Sequence, residues 1–311
     1  MRAVTVDKVP ADPRAGEAEA PRPAAGEVLV AVASASVNGF DLAVAAGYLQ
    51  GAMEHRFPLV LGKDFAGTVA ELGEGVEGFA VGDAVFGVVM KPVLQDGSLA
   101  QYVSVPAGYG IAAVPDGLGV QEAGALGLAG TAAFDSVQAV APRWGETVLV
   151  SGATGGVGAL AVQLAAARGA RVIATARPGA EADFVAGLTD AEVQVVDYTG
   201  DLEGQVRAIT PEGVDAVLHL AGDGAALAGL LGKGGRIAST LGLTDDAVPG
   251  EVTVHSIMAD PNARTLGTLA EEAAAGTLRV PVTATYPLEQ AHEAFAAFGA
   301  GTLGKIAVTC S

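Results

Sequence analysis

Eight residues, Ser151 to Gly158, read SGATGGVG between an apolar run, ETVLV, and a helix-forming run, ALAVQLAAAR. A strand that enters a helix through a glycine turn leaves unpaired backbone N–H groups at the helix N-terminus, where the helix dipole favours negative charge. The pattern suits the pyrophosphate of a dinucleotide, with Gly155 and Gly158 allowing close backbone approach and close helix–strand packing. Ala153 replaces the first glycine of the usual GxGxxG, beside Gly152. Expected contacts run through Ser151, Ala153, Thr154, Gly155, Gly156 and Val157; an ordinary tight turn is the alternative. About twenty residues on, where an NAD site carries an acid for the ribose 2′-hydroxyl, the chain reads Thr175-Ala176-Arg177-Pro178. No acid is at hand there. Arg177 is placed to make a charge-assisted contact with a 2′-phosphate, so NADPH is the expected cofactor, the other reading being a solvated loop cation.

Other chemistries lack their residues. None of Tyr48, Tyr102, Tyr109, Tyr198 and Tyr286 has lysine four residues on, which excludes the Tyr-x-x-x-Lys pair of short-chain reductases. His55, His219, His255 and His292 share no metal-ligand spacing, and the single Cys310 supplies neither a disulfide nor a Cys-rich zinc site. His219, inside an apolar strand, reads as a core residue.

The elements that must position the turn are legible around it. From about Val120, Ala-rich helical periods alternate with β-branched runs at Thr147 to Val150, Arg171 to Thr175, Val193 to Val196, Ala216 to Leu220 and Arg236 to Ser239. That alternation predicts βαβ units on a parallel sheet. Earlier β-type runs at Arg2 to Val6, Glu27 to Ser34, Gly67 to Glu71, Ala84 to Val89 and Ala100 to Val105 predict an irregular β-rich region. After Asn262 come a helix to Ala275, a β run near Val280 to Thr285, a helix from Leu288 to Phe298 and a strand near Lys305 to Val308.

Composition agrees. With 311 residues, 50% of them apolar, a sizeable core is available, and a net charge of −18 argues against a nucleic-acid partner. The uncharged run Thr147 to Ala167 holds four glycines and reads as strand, turn and helix rather than a membrane span. The opening MRAVTVDKVP lacks the apolar stretch of a signal peptide, so a cytoplasmic protein is expected.

The whole chain resembles the zinc-independent quinone oxidoreductase (zeta-crystallin-like) branch of the medium-chain dehydrogenase/reductase superfamily. The resemblance rests on SVNGFDL at Ser36 to Leu42, FPLVLGKDFAGTV at Phe57 to Val69, VGDAVFG at Val81 to Gly87, GSLAQYVSVP at Gly97 to Pro106 and GLAGTAAFD at Gly127 to Asp135. It continues through the glycine turn, VDY at Val196 to Tyr198, and the closing GTLGKIAV. It implies an α/β fold: a Rossmann doubly wound parallel sheet at 121–260, plus a chaperonin-10-like (GroES-like) β-rich catalytic domain built from 1–120 and 261–311, with the cofactor in the cleft between them. Zinc-dependent relatives carry a metal ligand before the first helix and a later Gly-His-Glu; here these places hold Asn38 and Gly62-Lys63-Asp64, and the four-cysteine loop is missing. No metal is expected.

The same resemblance implies site residues. Asn38, Tyr48 and Lys63 are the expected catalytic side chains, Asn38 also touching the cofactor; Asp41 reads either as part of the family's NxxD or as a helix cap. Thr131 resembles the threonine beside the nicotinamide and Tyr198 the aromatic near the adenosine phosphate, while Ala221, Thr240 and Leu241 are expected at strand ends facing the cofactor. Without a Lewis acid the acceptor must already be electrophilic, which points to a quinone or an activated α,β-unsaturated carbonyl. Two alternatives stand: an enoyl or enone reductase tailoring a polyketide-type intermediate, and a non-catalytic NADPH-binding sensor. The pocket-lining loops between Val44 and Arg56 and between Leu243 and Pro261 are the least family-like parts, so the substrate is not specified, and a homodimer is expected through the last Rossmann strand, near Val252 to Met258.

Overall fold

The computed structural model describes residues 1–248 and 250–311; Pro249, in the second of the expected pocket-lining loops, lies outside the described residues. The chain divides into two compact units, Met1–Ala129 with Pro261–Ser311, and Gly130–Asp260. The first division falls inside the helix Val120–Val140 rather than ahead of it.

In the second unit a six-stranded parallel sheet runs in the order Val193–Val196, Arg171–Thr175, Thr147–Ser151, Val214–His219, Leu231–Ser239, Thr253–Ser256. Numbered by sequence this is 3-2-1-4-5-6, the doubly wound Rossmann order, with the direction of winding reversing between Thr147–Ser151 and Val214–His219. Every residue of Thr147–Ser151 is buried, as a central strand covered on both faces requires. Leu149, Ile173, Val217 and Ile237 form the core on one side. Observed strands begin earlier than the expected runs: Ala216 to Leu220 is realised as Val214–His219, which leaves Leu220 outside, and Arg236 to Ser239 is the end of Leu231–Ser239.

The first unit is built on a seven-stranded sheet whose centre is Glu27–Ser36, flanked by Asp64–Leu72, Tyr102–Pro106 and, near its end, Lys305–Thr309. Burial along Glu27–Ser36 alternates, as a strand with one core face should, until Ser34, Ala35 and Ser36 are all buried. That last stretch is where a polar cluster begins. Among the described residues no helix is long and apolar enough to cross a membrane; Thr147 to Ala167 folds as strand Thr147–Ser151, a turn and helix Gly156–Ala167.

Candidate functional site

Parallel register lines up the C-terminal strand ends of the second unit, pairing Ser151 with His219 and His219 with Ser239. Ser151 Oγ donates to the Leu218 carbonyl at 3.2 Å and accepts from the N–H of Leu220 and Ala221, at 3.1 and 3.3 Å, tying the turn to the neighbouring strand across the point of reversal. Gly152 takes φ +69°, and a Cβ there would lie 2.9 Å from the Ala221 Cβ. A Cβ on Gly158 would lie 2.7 Å from the Ala153 Cα, so glycine is what lets helix Gly156–Ala167 rise directly from its strand. Ala153 itself is buried and offers only its backbone to a ligand.

The start of this helix shares a glycine N-cap with helix Ala180–Ala186, which begins from Gly179, and differs from the two helices that follow. Asp201 and Asp223 cap the helices that follow them through their side chains, whereas the N-cap of Gly156–Ala167 is Gly155, which has no side chain to give. A Cβ on Gly155 would meet only the Gly152 oxygen, at 3.5 Å, and Thr154, Gly156 and Val157 are half-buried. An uncapped helix N-terminus beside a turn of minimal bulk fits the pyrophosphate of a dinucleotide.

At the end of the adjacent strand Arg171–Thr175 the expectation that no acid is present is corrected. Helix Ala180–Ala186 begins at once, and its first turn carries Glu181 back to Arg177. Glu181 accepts from Arg177 Nε at 2.7 Å, from Arg177 Nη2 at 2.5 Å, from the Arg177 backbone N–H at 2.7 Å and from the Tyr198 hydroxyl at 3.5 Å. Burial opposes ionisation of Glu181, but the Arg177 contacts outweigh it and hold the carboxyl below its ordinary range. Arg177 and Tyr198 are thus brought together, around a carboxylate that the sequence reading missed. Thr240 donates its N–H to the His219 carbonyl at 3.2 Å, Leu241 is exposed just beyond, and Thr131 is buried in helix Val120–Val140. His219 is a satisfied core residue, bonded to Ser239 Oγ and the Gly222 carbonyl.

The first unit holds a second cluster, assembled from four distant segments. Ser36 faces Asp64 in register, and the antiparallel pairing of Ala307 with Ser36 brings Lys305 opposite Asn38. Asp64 Oδ2 accepts from Ser36 Oγ at 2.6 Å, Asn38 Nδ2 at 2.9 Å and Lys305 Nζ at 3.3 Å, while Oδ1 accepts from the Leu128 N–H at 2.7 Å. Lys305 Nζ also donates to Asn38 Oδ1 at 2.7 Å, so the Asn38 amide is engaged at both ends. Asp41 caps helix Gly39–Ala45 by accepting the Asn38 N–H at 2.8 Å.

Lys63 is also buried; its ammonium donates to the Val89 carbonyl and sits 5.0 Å above the Phe40 ring. Burial pulls the Lys63 pKa down, against the opposing pull of Asp41 and Asp64. Burial likewise pushes Asp41 up to about 7, with Asp64 adding to the rise and the Asn38 N–H, Lys305 and Lys63 resisting it. Lys63 and Asp41 line one cavity of about 20 Å³, enough for a single water.

Tyr48 does not join them. The helix ends at Ala45, Gly47 turns the chain at φ +79°, and Tyr48 emerges 81% exposed into a separate groove of about 1430 Å³, beside Arg14, Leu42, His292 and Phe295. Asn38 and Lys63, at the places of metal ligands in zinc-dependent relatives, do not fit a zinc ion: one is an amide held between Lys305 and Asp64, the other an ammonium donor. Among the described residues no group of three or more His, Cys, Asp or Glu is gathered as a metal site.

A Rossmann sheet inserted in sequence within a β-rich unit, with a glycine turn at the reversal of its winding, is the architecture of a nicotinamide-dependent oxidoreductase. Residues 24–116 match the alcohol dehydrogenase GroES-like domain and residues 189–308 the zinc-binding dehydrogenase family. The chain belongs to the medium-chain dehydrogenase/reductase superfamily and is quinone oxidoreductase-like. Over 220 residues, 69% of its length, it is 38% identical to a mycocerosic acid synthase-like polyketide synthase of Mycobacterium tuberculosis, and it spans about 10% of that protein. The quinone oxidoreductase from Coxiella burnetii superposes with a TM-score of 0.90 at 26% identity, covering 100% of this chain and 99% of the other. Mycobacterial Rv1454c, solved in complex with NADPH, superposes with a TM-score of 0.86 at 26% identity over 99% of each chain.

Proposed function

We propose that the chain is a zinc-independent, NADPH-dependent reductase of quinones or activated α,β-unsaturated carbonyls. The observation that carries this reading is the placement of Arg177 and Tyr198 around the Glu181 carboxylate, one strand away from an uncapped helix N-terminus. The two features suit the 2′-phosphate and the pyrophosphate of one dinucleotide, and the NADPH complex of Rv1454c supports the same cofactor. Bound NADPH would supply the hydride. Gly155, Gly156 and Val157 would hold its pyrophosphate by their backbone, with Thr131, Ala221, Thr240 and Leu241 as further contacts.

On the substrate side, the resemblance to zinc-dependent relatives supports Asn38 and Lys63 as the residues that replace metal ligands, and neither is a metal donor in this geometry. An acceptor that is already electrophilic needs only modest stabilisation of the oxygen it generates, which a lysine ammonium can give, whereas the Asn38 amide would first have to leave Asp64. Tyr48, exposed in its own groove, has the weaker claim of the three to this role. A second reading, reduction of an enoyl thioester in a polyketide-type pathway, is favoured by the identity to the polyketide synthase. Association into a homodimer is proposed through Thr253–Ser256, which closes one edge of the sheet order.

Steady-state oxidation of NADPH and NADH with quinones and with enoyl thioesters tests the proposal. A preference for NADPH of roughly tenfold in kcat/KM is expected, about 1.4 kcal/mol, with most of it lost in R177A. Equal use of both cofactors by the natural chain refutes the assignment of Arg177, and tight NADPH binding without turnover on any acceptor favours a sensor.

A further inference from the structure

The carboxylate of Glu181 occupies the position that an anion at Arg177 needs. One oxygen takes both Nε and Nη2 of the guanidinium, at 2.7 and 2.5 Å, together with the Tyr198 hydroxyl at 3.5 Å; the other takes the Arg177 backbone N–H at 2.7 Å. These are the donors that a phosphate on the adenosine ribose would use. Glu181 is held there by its place in the first turn of helix Ala180–Ala186, four residues beyond Arg177, where an acid is also favoured by the helix dipole. Asp197, the other acid near Arg177, is turned instead to the N–H and hydroxyl of Thr199. Glu181 therefore satisfies the guanidinium from within the chain.

We infer that Glu181 is a built-in competitor for the 2′-phosphate of NADPH, and so sets how strongly the enzyme distinguishes NADPH from NADH. The inference rests on the NADPH reading above. A 2′-phosphate must either displace Glu181 from Arg177 or take the free edge of the guanidinium beside a like charge. Displacement costs an i,i+4 ion pair, and coexistence costs repulsion between a carboxylate and a dianion. A ribose 2′-hydroxyl incurs neither cost. Arg177 alone would make a strong discriminator; Arg177 with Glu181 makes a tempered one.

Adenosine 2′,5′-bisphosphate and adenosine 5′-monophosphate differ only in the group at issue and need no nicotinamide, so titration calorimetry of the whole chain isolates the effect. In E181Q, which keeps the size and one acceptor of the side chain, the Kd for the bisphosphate is expected to fall about five- to tenfold, with the monophosphate changed by less than about twofold. E181A is expected to move in the same direction, and E181Q in an R177A background to have no effect, because the competed donor is gone. An unchanged or raised bisphosphate Kd in both E181Q and E181A overturns the inference, as does weaker monophosphate binding, which would make Glu181 a ribose acceptor. The underlying reading fails separately: if R177A leaves bisphosphate binding unaltered, Arg177 is not the phosphate contact and both statements fall. If R177A weakens it while neither Glu181 variant tightens it, only the role of Glu181 is lost.

Discussion

Asp41 gives the sharpest physical test of the buried cluster, because its protonation is predicted to depend on folding. Its carboxyl is 1% exposed and is pushed up from 3.8 to about 7, chiefly by burial. An acid whose pKa is higher in the folded chain binds its proton more tightly there, so its contribution is present in full below the unfolded pKa and is lost as pH rises through the folded one. Stability from this group should fall between about pH 4 and pH 7. Three units at about 1.36 kcal/mol each put the whole effect near 4 kcal/mol, of which about 2–3 kcal/mol lies between roughly pH 5 and pH 8.

Asp41→Asn isolates that amount. Asparagine keeps an oxygen to accept the Asn38 N–H and is neutral at every pH; Asp64 and Lys305 are common to both proteins, and the lower Lys63 pKa that the lost carboxylate brings acts above the pH range compared. Urea unfolding followed by circular dichroism, at intervals from pH 5 to pH 8, should show D41N gaining on the natural chain by about 2–3 kcal/mol as pH rises. A difference that stays flat within about 0.5 kcal/mol, or that runs the other way, refutes the claim that folding raises the Asp41 pKa.

Other outcomes follow from the same geometry. Lys305→Met leaves Asp64 buried without its counter-ion and is expected to cost about 3 kcal/mol or more in denaturant unfolding, with partial recovery in D64N/K305M. Lys63→Ala should lower kcat for enones by roughly one hundred-fold while changing quinone reduction much less, because only an enolate needs a proton delivered to carbon. Tyr48→Phe, in the separate groove, should stay within about threefold on both substrates, and an equal loss in the two variants would show that Tyr48 shares the proton transfer after all.

How much of this was legible in the sequence follows from how each feature is encoded. The parallel sheet was readable because its strands are buried on both faces and so appear as continuous β-branched runs; Arg171–Thr175 and Val193–Val196 fall where they were expected. The glycine turn was readable because its strand and helix adjoin it in the chain. The cluster around Asp64 was not, since Ser36, Leu128 and Lys305 reach it only through strand pairing and a helix from elsewhere, and no local spacing records that meeting. Glu181 was missed for a smaller reason. The strand end itself carries no acid, and the helix start returns one from four residues beyond Arg177; the spacing RPGAE carries that signal. Tyr48 was displaced by a single residue, Gly47, whose left-handed turn sends the next side chain toward Arg14 and His292.

Lys63 and Asp41 influence each other's protonation through their charges. Both line the same water-sized cavity, and each is perturbed most by burial, in the direction that favours its neutral form, while the charge of the other favours ionisation. An ion pair and a neutral acid–amine pair contain the same number of protons, so exchange between them moves charge without exchanging a proton with solvent. Desolvation favours the neutral arrangement; the Val89 carbonyl and the Phe40 ring favour the ammonium. The same coupling separates their variants. Lys63→Ala removes an opposing charge and drives the Asp41 pKa higher still, whereas Asp41→Asn leaves Lys63 buried with one fewer anion and draws the Lys63 pKa lower.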